Sequence, residues 1–126
     1  MMKIKHLTLK RGTCNMQDID SIRLSEKQKQ QLITLKRRSG IENWNVLCRW
    51  ALCKSLEDPT IPPKEDIPSD SNVEMTWRTF AGKEYNIYEA IVLFRKMKDN
   101  IEYSTQDYIK IHISRGLKLL LKNHVF

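Results

Sequence analysis

Apolar and polar residues change their period along this chain, and the changes mark out its elements. Ile22 and Leu24 alternate with Ser21 and Arg23, a period of two that predicts a short strand with Arg23 pointing outward. Ser25 then reads as a helix N-cap. Gln28 three residues later completes an S-x-x-Q capping box, which satisfies backbone donors at the start of a helix predicted over residues 26–39. Gly40 is placed to end that helix in the left-handed conformation. Around it, Lys27, Gln30, Thr34, Arg37 and Arg38 share one arc, while Leu32, Ile33 and Leu35 spread over the other. Lys29 and Lys36 project toward the middle of the apolar arc, so they must snorkel out along their stems or lie near an interface between subunits.

Asn43 is positioned to cap a second helix, from Trp44 to about Leu56, closed by Glu57, Asp58 and Pro59. Its apolar residues point nearly all round the cylinder, so it needs cover on every side, and a second subunit is a natural source. Residues 57–72 hold all four prolines and predict an extended connection pinned by Ile61 and Ile67. Val73, Met75 and Trp77 alternate with Glu74, Thr76 and Arg78, giving another strand or extended piece that ends near Phe80, Ala81 and Gly82. Asn86 with Glu89 caps a helix over 87–98, whose apolar face is Ile87, Ala90, Ile91, Phe94 and Met97. A last helix starts after Ser104 or Thr105 and runs to about Lys122. Its buried stripe is Ile109, Ile113, Gly116, Leu117 and Leu120, Gly116 permits close packing, and Arg115, Lys118 and Lys122 lie on another face.

The expected fold is mainly α: a strand-helix-helix unit of ribbon-helix-helix type plus two further helices, assembled as an oligomer. Residues 1–18 form a basic arm, a short strand or a flexible segment, ahead of a single domain over 19–126. A length of 126 residues suits one core, and 40% hydrophobic with 29% charged residues is the composition of a folded domain. No stretch reaches the roughly 18 apolar residues of a membrane span, and the start lacks a secretory signal, so a cytoplasmic protein away from membranes is expected. Cys14, Cys48 and Cys53 fit that compartment as buried reduced thiols.

Charge sharpens the picture. From Met1 to Lys54 there are twelve Lys and Arg against four Asp and Glu, and from Ser55 onward ten against eleven, so the +7 net charge belongs to the first half. Such asymmetry favours a polyanionic partner. In a ribbon-helix-helix arrangement two strands pair across a dimer and enter a groove, which would present Arg23, and the start of the first helix could hold a phosphate on free N–H groups.

Other chemistry finds less support. His6, His112 and His124 have no ligand partners at metal spacing, and four glycines cannot write a phosphate-binding loop, so no metal site and no cofactor are expected. Trp44, Trp50, Cys48 and Cys53 read as core. Asp66, Asp70 and Glu74 are spaced so that they could converge on Mg²⁺, which keeps a metal-dependent DNA nickase as the rival reading. A scaffold that assembles through the apolar helix without binding DNA is a third.

The stretch IRLSEKQKQQLITLKRRSGIENWNVLCRWALCKSL, then PTIPP, then IPSDSNVEMTWRTFAG, resembles the DndE family of DNA sulfur modification proteins, over Ile22 to Gly82 and more loosely into the helix beginning near Asn86. The resemblance implies a helical protein with a ribbon-helix-helix-like region. It implies an oligomer such as a tetramer, binding duplex DNA with a preference for nicks through lysines of the basic helix. Here those positions are Lys27, Lys29, Lys36, Arg37 and Arg38. It further implies a place beside other phosphorothioation proteins, with sulfur transfer belonging to cysteine desulfurase and ATP-using partners, and nicking proposed for some members. The arm, residues 1–18, departs from a minimal member.

Overall fold

A computed structural model describes residues 19–124; the predicted arm over 1–18, with Cys14 and His6, lies outside them. The elements are β1 (Ser21–Arg23), α1 (Glu26–Ser39), α2 (Trp44–Glu57), β2 (Glu74–Thr76), α3 (Trp77–Ala81), α4 (Tyr85–Lys98) and α5 (Thr105–Lys122). A 3₁₀ turn over Gly82–Glu84 joins α3 to α4.

The first unit forms as its residues dictate. The Ser25 hydroxyl accepts the Gln28 N–H at 3.1 Å and the Gln28 side chain accepts the Ser25 N–H at 2.9 Å, which closes the capping box. Gly40 ends α1 at φ 76°, its N–H donating to Lys36 O. Leu32 and Leu35 are buried beneath it. Asn43 precedes α2 but makes no side-chain cap bond.

β1 pairs antiparallel with β2 of the same chain, Ser21 opposite Thr76, Ile22 opposite Met75 and Arg23 opposite Glu74. The expected order of strand, helix and helix is present, but the strand pairs within its own chain instead of with a second copy. The reason is local: Leu24 O accepts from Ser71 and Leu24 N–H donates to Val73 O, so the pairing continues past the strands. The extended piece expected over 73–82 stops at Thr76. There the Thr76 hydroxyl caps Thr79 N–H and the chain turns into α3, sending Trp77 and Phe80 into the core in a stacked pair.

α5 is the centre of the molecule. Every residue from Tyr108 to Ser114 is buried, with Gly116, Leu117 and Leu120 beyond them. Its main partner is α2, which lays Leu47, Cys48, Ala51 and Leu52 against it. A Cβ on Gly116 would stand 1.7 Å from Ala51 O, so the two backbones touch where the side chain is missing.

Residues 58–72 form a strap across α5. Ile61, expected to pin it, is exposed, while Pro62 is buried. Ile67, the other expected pin, is half-buried, and polar side chains of α5 add to this hold: Lys110 Nζ donates to Ile67 O and Ser69 Oγ, and Ser114 and Lys118 donate to Glu65. The Lys110 bond gives the Ile67 carbonyl a partner that water would otherwise supply.

Two arginines, Arg95 buried and Arg115 half-buried, finish the frame. Arg95 of α4 donates to Leu56 O, Asp58 O and Thr60 O and pairs with Asp99, while Arg115 of α5 donates to Ser55 O and Asp58 O. These bonds satisfy the orphan carbonyls at the end of α2. They also set the roll of α4. Arg95, Val92 and Tyr88 face inward, which turns the predicted apolar face of Ile87, Ala90, Ile91, Phe94 and Met97 to solvent. α2 is likewise not covered all round, since Trp50 and Cys53 are exposed, against the expectation that both are core. Cys48 is buried, and burial pushes its thiol up to about 12 despite neighbouring Arg49.

His112 is buried in full, its Nδ1 2.7 Å from Ser55 Oγ and its Nε2 unpartnered. Burial, then the charges of Arg115 and Arg95, hold its pKa down to about 4 against an ordinary 6.5, with Asp99 opposing.

Two stability outcomes follow from this packing. Gly116→Ala should cost at least about 3 kcal/mol in urea unfolding, because the clash is with backbone, whereas Gly40→Ala, with open space around it, should cost roughly 1 kcal/mol of left-handed strain. Between pH 6.5 and about 4 the unfolded chain binds a proton on His112 that the folded chain does not. Stability should therefore fall on acidification through that window, by up to about 1.4 kcal/mol per pH unit. Denaturation curves across the window would show it, and His112→Gln should flatten the slope.

Candidate nucleic-acid interface

α1 lies on the surface with its polar arc outward, and its cations fall into two groups. Lys27, Arg37 and Arg38 are exposed, and among the described residues none of them makes an ion pair. Arg38 donates to Leu121 O at 3.3 Å. The others are occupied: Arg23 pairs with Glu74 at 2.8 Å and donates to Ser71 O, Lys29 donates to Asn72 at 3.0 Å, and Lys36 sits 3.7 Å from Glu42. Lys29 and Lys36 do reach out along their stems, as expected, and end on polar partners rather than in the core. Exposed pairs of this kind contribute under about 1 kcal/mol each, so Lys29 and Lys36 can turn to a phosphate at little cost.

Contacts with α5 extend the surface beyond α1. Gln28 Nε2 donates to Lys110 O near the start of both helices, and Arg38 bonds Leu121 O near their ends, so α1 and α5 run side by side in the same direction. That alignment brings Lys122, exposed at the end of α5, to the same end of the molecule as Lys36, Arg37 and Arg38. The sequence shows Lys118 and Lys122 as a basic face of the last helix; the Arg38 bond ties the end of α1 to the end of that helix. Lys118 is tied to Glu65 at 3.0 Å. Burial works to raise the Glu65 pKa, yet hydrogen bonds from Lys118 and Ser114 and the charges of Lys118 and Lys27 outweigh it and hold the carboxyl ionised below its usual range. One carboxylate therefore lies inside the basic surface.

The start of α1 is not open to a phosphate in the way its sequence suggests. Glu26 N–H donates to Asp70 Oδ1 at 2.7 Å and Gln28 N–H to Ser25 Oγ, so the chain's own carboxylate holds the place. This occupation also engages two of the acidic trio. Asp70 caps α1 and Glu74 pairs with Arg23 and Ser21, while Asp66 and Asp70 line one cleft of about 430 Å³ with Lys27 and Gln31. Among the described residues no three His, Cys, Asp or Glu side chains gather in metal-binding geometry. Nor is any helix among them long and apolar enough to cross a membrane.

A small helical domain with a two-stranded sheet, one basic helix face and a central buried helix is the class of protein these features define. The chain belongs to the DndE family, whose model, described as DNA sulphur modification protein DndE, matches residues 21–125. The family takes part in DNA phosphorothioation. Its fold is similar to a crystal structure of DndE from Escherichia coli B7A involved in DNA phosphorothioation modification. The TM-score is 0.67 and the identity 22%, covering 80% of this chain and 95% of that one. It is also similar to a glycine-to-lysine mutant of DndE involved in DNA phosphorothioation, with a TM-score of 0.63 and 21% identity over 83% of this chain and 98% of that one. No curated protein matches the chain.

The Asp70 contact has a measurable worth. Asp70→Ala should lower stability by about 1 kcal/mol, the usual value of a helix N-terminal acceptor, seen as a shift of the urea midpoint without a change in slope.

Proposed function

We propose that this chain is a DNA-binding subunit of a phosphorothioation system in the cytoplasm. It holds duplex DNA, intact or nicked, on the basic face of α1 while other proteins of the system carry out the sulfur chemistry, and it works as a homo-oligomer. The observation that carries this reading is the exposed set Lys27, Arg37 and Arg38, with no ion pair among the described residues, in a chain whose positive charge is concentrated in its first half. Lys36 and Lys29 add to that surface once their weak surface partners let go. Arg23 contributes least, because Glu74 opposes it at 2.8 Å and the β2 pairing fixes that contact.

Cations spread along an exposed helix meet phosphates rather than base edges, which gives weak sequence preference and strong salt dependence. Fluorescence anisotropy on intact and nicked duplexes is expected to show log affinity falling steeply with log salt. Alanine at Lys36, Arg37 and Arg38 together should weaken every sequence alike and flatten the slope by roughly one for each phosphate contact removed. Arg23→Ala should change it little. An affinity indifferent to salt, or a triple variant that binds as the parent does, would sink the proposal.

A further inference from the structure

We infer that the strap over residues 58–72 is an internal competitor for phosphate: Glu65 holds donors that a bound polyanion would use, and DNA engages the start of α1 by lifting the middle of the strap. The inference deepens the DNA-binding reading above and rests on it. Glu65 is half-buried and stands between two helices. It accepts from Ser114 Oγ at 2.9 Å and from Lys118 Nζ at 3.0 Å, both on α5, and it feels the charge of Lys27 on α1. A hydroxyl and two ammonium groups around one acidic group are the donors with which a protein meets a phosphate. Here the chain's own carboxylate fills the place. Five residues on, the same strap sets Asp70 Oδ1 on the Glu26 N–H at 2.7 Å, so a second carboxylate stands at the first turn of α1.

The strap is fixed at its ends and loosely held between them. Arg95 and Arg115 clamp the carbonyl of Asp58, Arg95 also takes that of Thr60, and at the other end Ser71 and Val73 bond to Leu24. From Ile61 to Asp70 the main chain makes no hydrogen bond to other main chain among the described residues. Apart from buried Pro62, polar side chains hold this stretch: Lys110 on Ile67 O and Ser69, and the two carboxylate contacts. Such a segment opens at lower cost than the helices beneath it. Nor does it pack flat on α1, because a cleft of about 430 Å³ lies between residues 65–68 of the strap and Lys27 and Gln31. A polyanion offers Lys27 and Lys118 more negative charge than one carboxylate does, and it repels the carboxylates it displaces. Both effects lift the strap.

Anisotropy titrations of the full chain with a short synthetic duplex, at one moderate salt concentration, test the competition. If the held strap leaves the open form at about a tenth of the population, Glu65→Gln should tighten binding about tenfold, with circular dichroism unchanged. Asp66→Asn is the control for charge alone. It removes the same charge from the next residue, which is exposed and makes no hydrogen bond or ion pair among the described residues, so it should gain much less. On the parent chain, a glutamate-specific protease should cut after Glu65 faster once the duplex is added, measured against its cut after exposed Glu102. If Glu65→Gln binds no tighter than Asp66→Asn, or the duplex fails to speed the cut after Glu65, the strap is no competitor and the DNA-binding reading stands without it. If neither the parent nor Glu65→Gln binds the duplex at low salt, both fall together.

Discussion

Everything in this fold depends on how closely α2 can approach α5. Gly116 lets the Ala51 carbonyl come into the space a side chain would fill, and the contact brings Leu47, Cys48 and Leu52 against a helix already buried on nearly every side. A central helix of that kind cannot carry its polar groups to water. It spends them on neighbours: Lys110 and Ser114 on the strap, His112 on Ser55, Arg115 on the carbonyls that end α2. Packing and hydrogen bonding are thus one arrangement. Moving the backbones apart would unseat the polar contacts as well as the apolar ones.

Much of this was legible in the sequence, and for identifiable reasons. Capping is local, so the Ser25 and Gln28 box, the Ser104 hydroxyl that accepts the Asp107 N–H and the left-handed Gly40 follow from a few neighbouring residues, whereas Asn43 makes no cap bond and Asn86 falls inside α4. Gly116 stood out because a glycine inside an apolar stripe has few other uses. What could not be read were the contacts that join distant segments. β1 could be recognised as a strand but not assigned a partner, since three residues carry no register and its mate lies some fifty residues on. Asp70 at the start of α1 has the same character, a bond across 44 residues.

The roll of α4 shows a different kind of misreading. Hydrophobicity alone ranks Ile87, Ile91, Phe94 and Met97 above Tyr88, Val92 and Arg95 as the inward face. The structure chooses the second set because a buried guanidinium answers three carbonyls at once. A polar need decided the orientation, and the apolar face was left over. Similarly, the cations of β1 and α1 were visible, but that Arg23, Lys29 and Lys36 are matched turned on Glu74, Asn72 and Glu42, none of which lies on the same element.

The parallel course of α1 and α5 bears on how strong the basic surface can be. Helices that run antiparallel cancel each other's backbone dipoles, whereas these two end together, so the partial negative charge of two C-termini accumulates beside Lys36, Arg37, Arg38 and Lys122. Part of the formal charge there is already answered by peptide carbonyls. The potential that an approaching polyanion meets at the helix ends is therefore weaker than a count of lysines and arginines implies, and at the start of α1 the carboxylates of Asp70, Glu65 and Asp66 offset the helix dipole around Lys27.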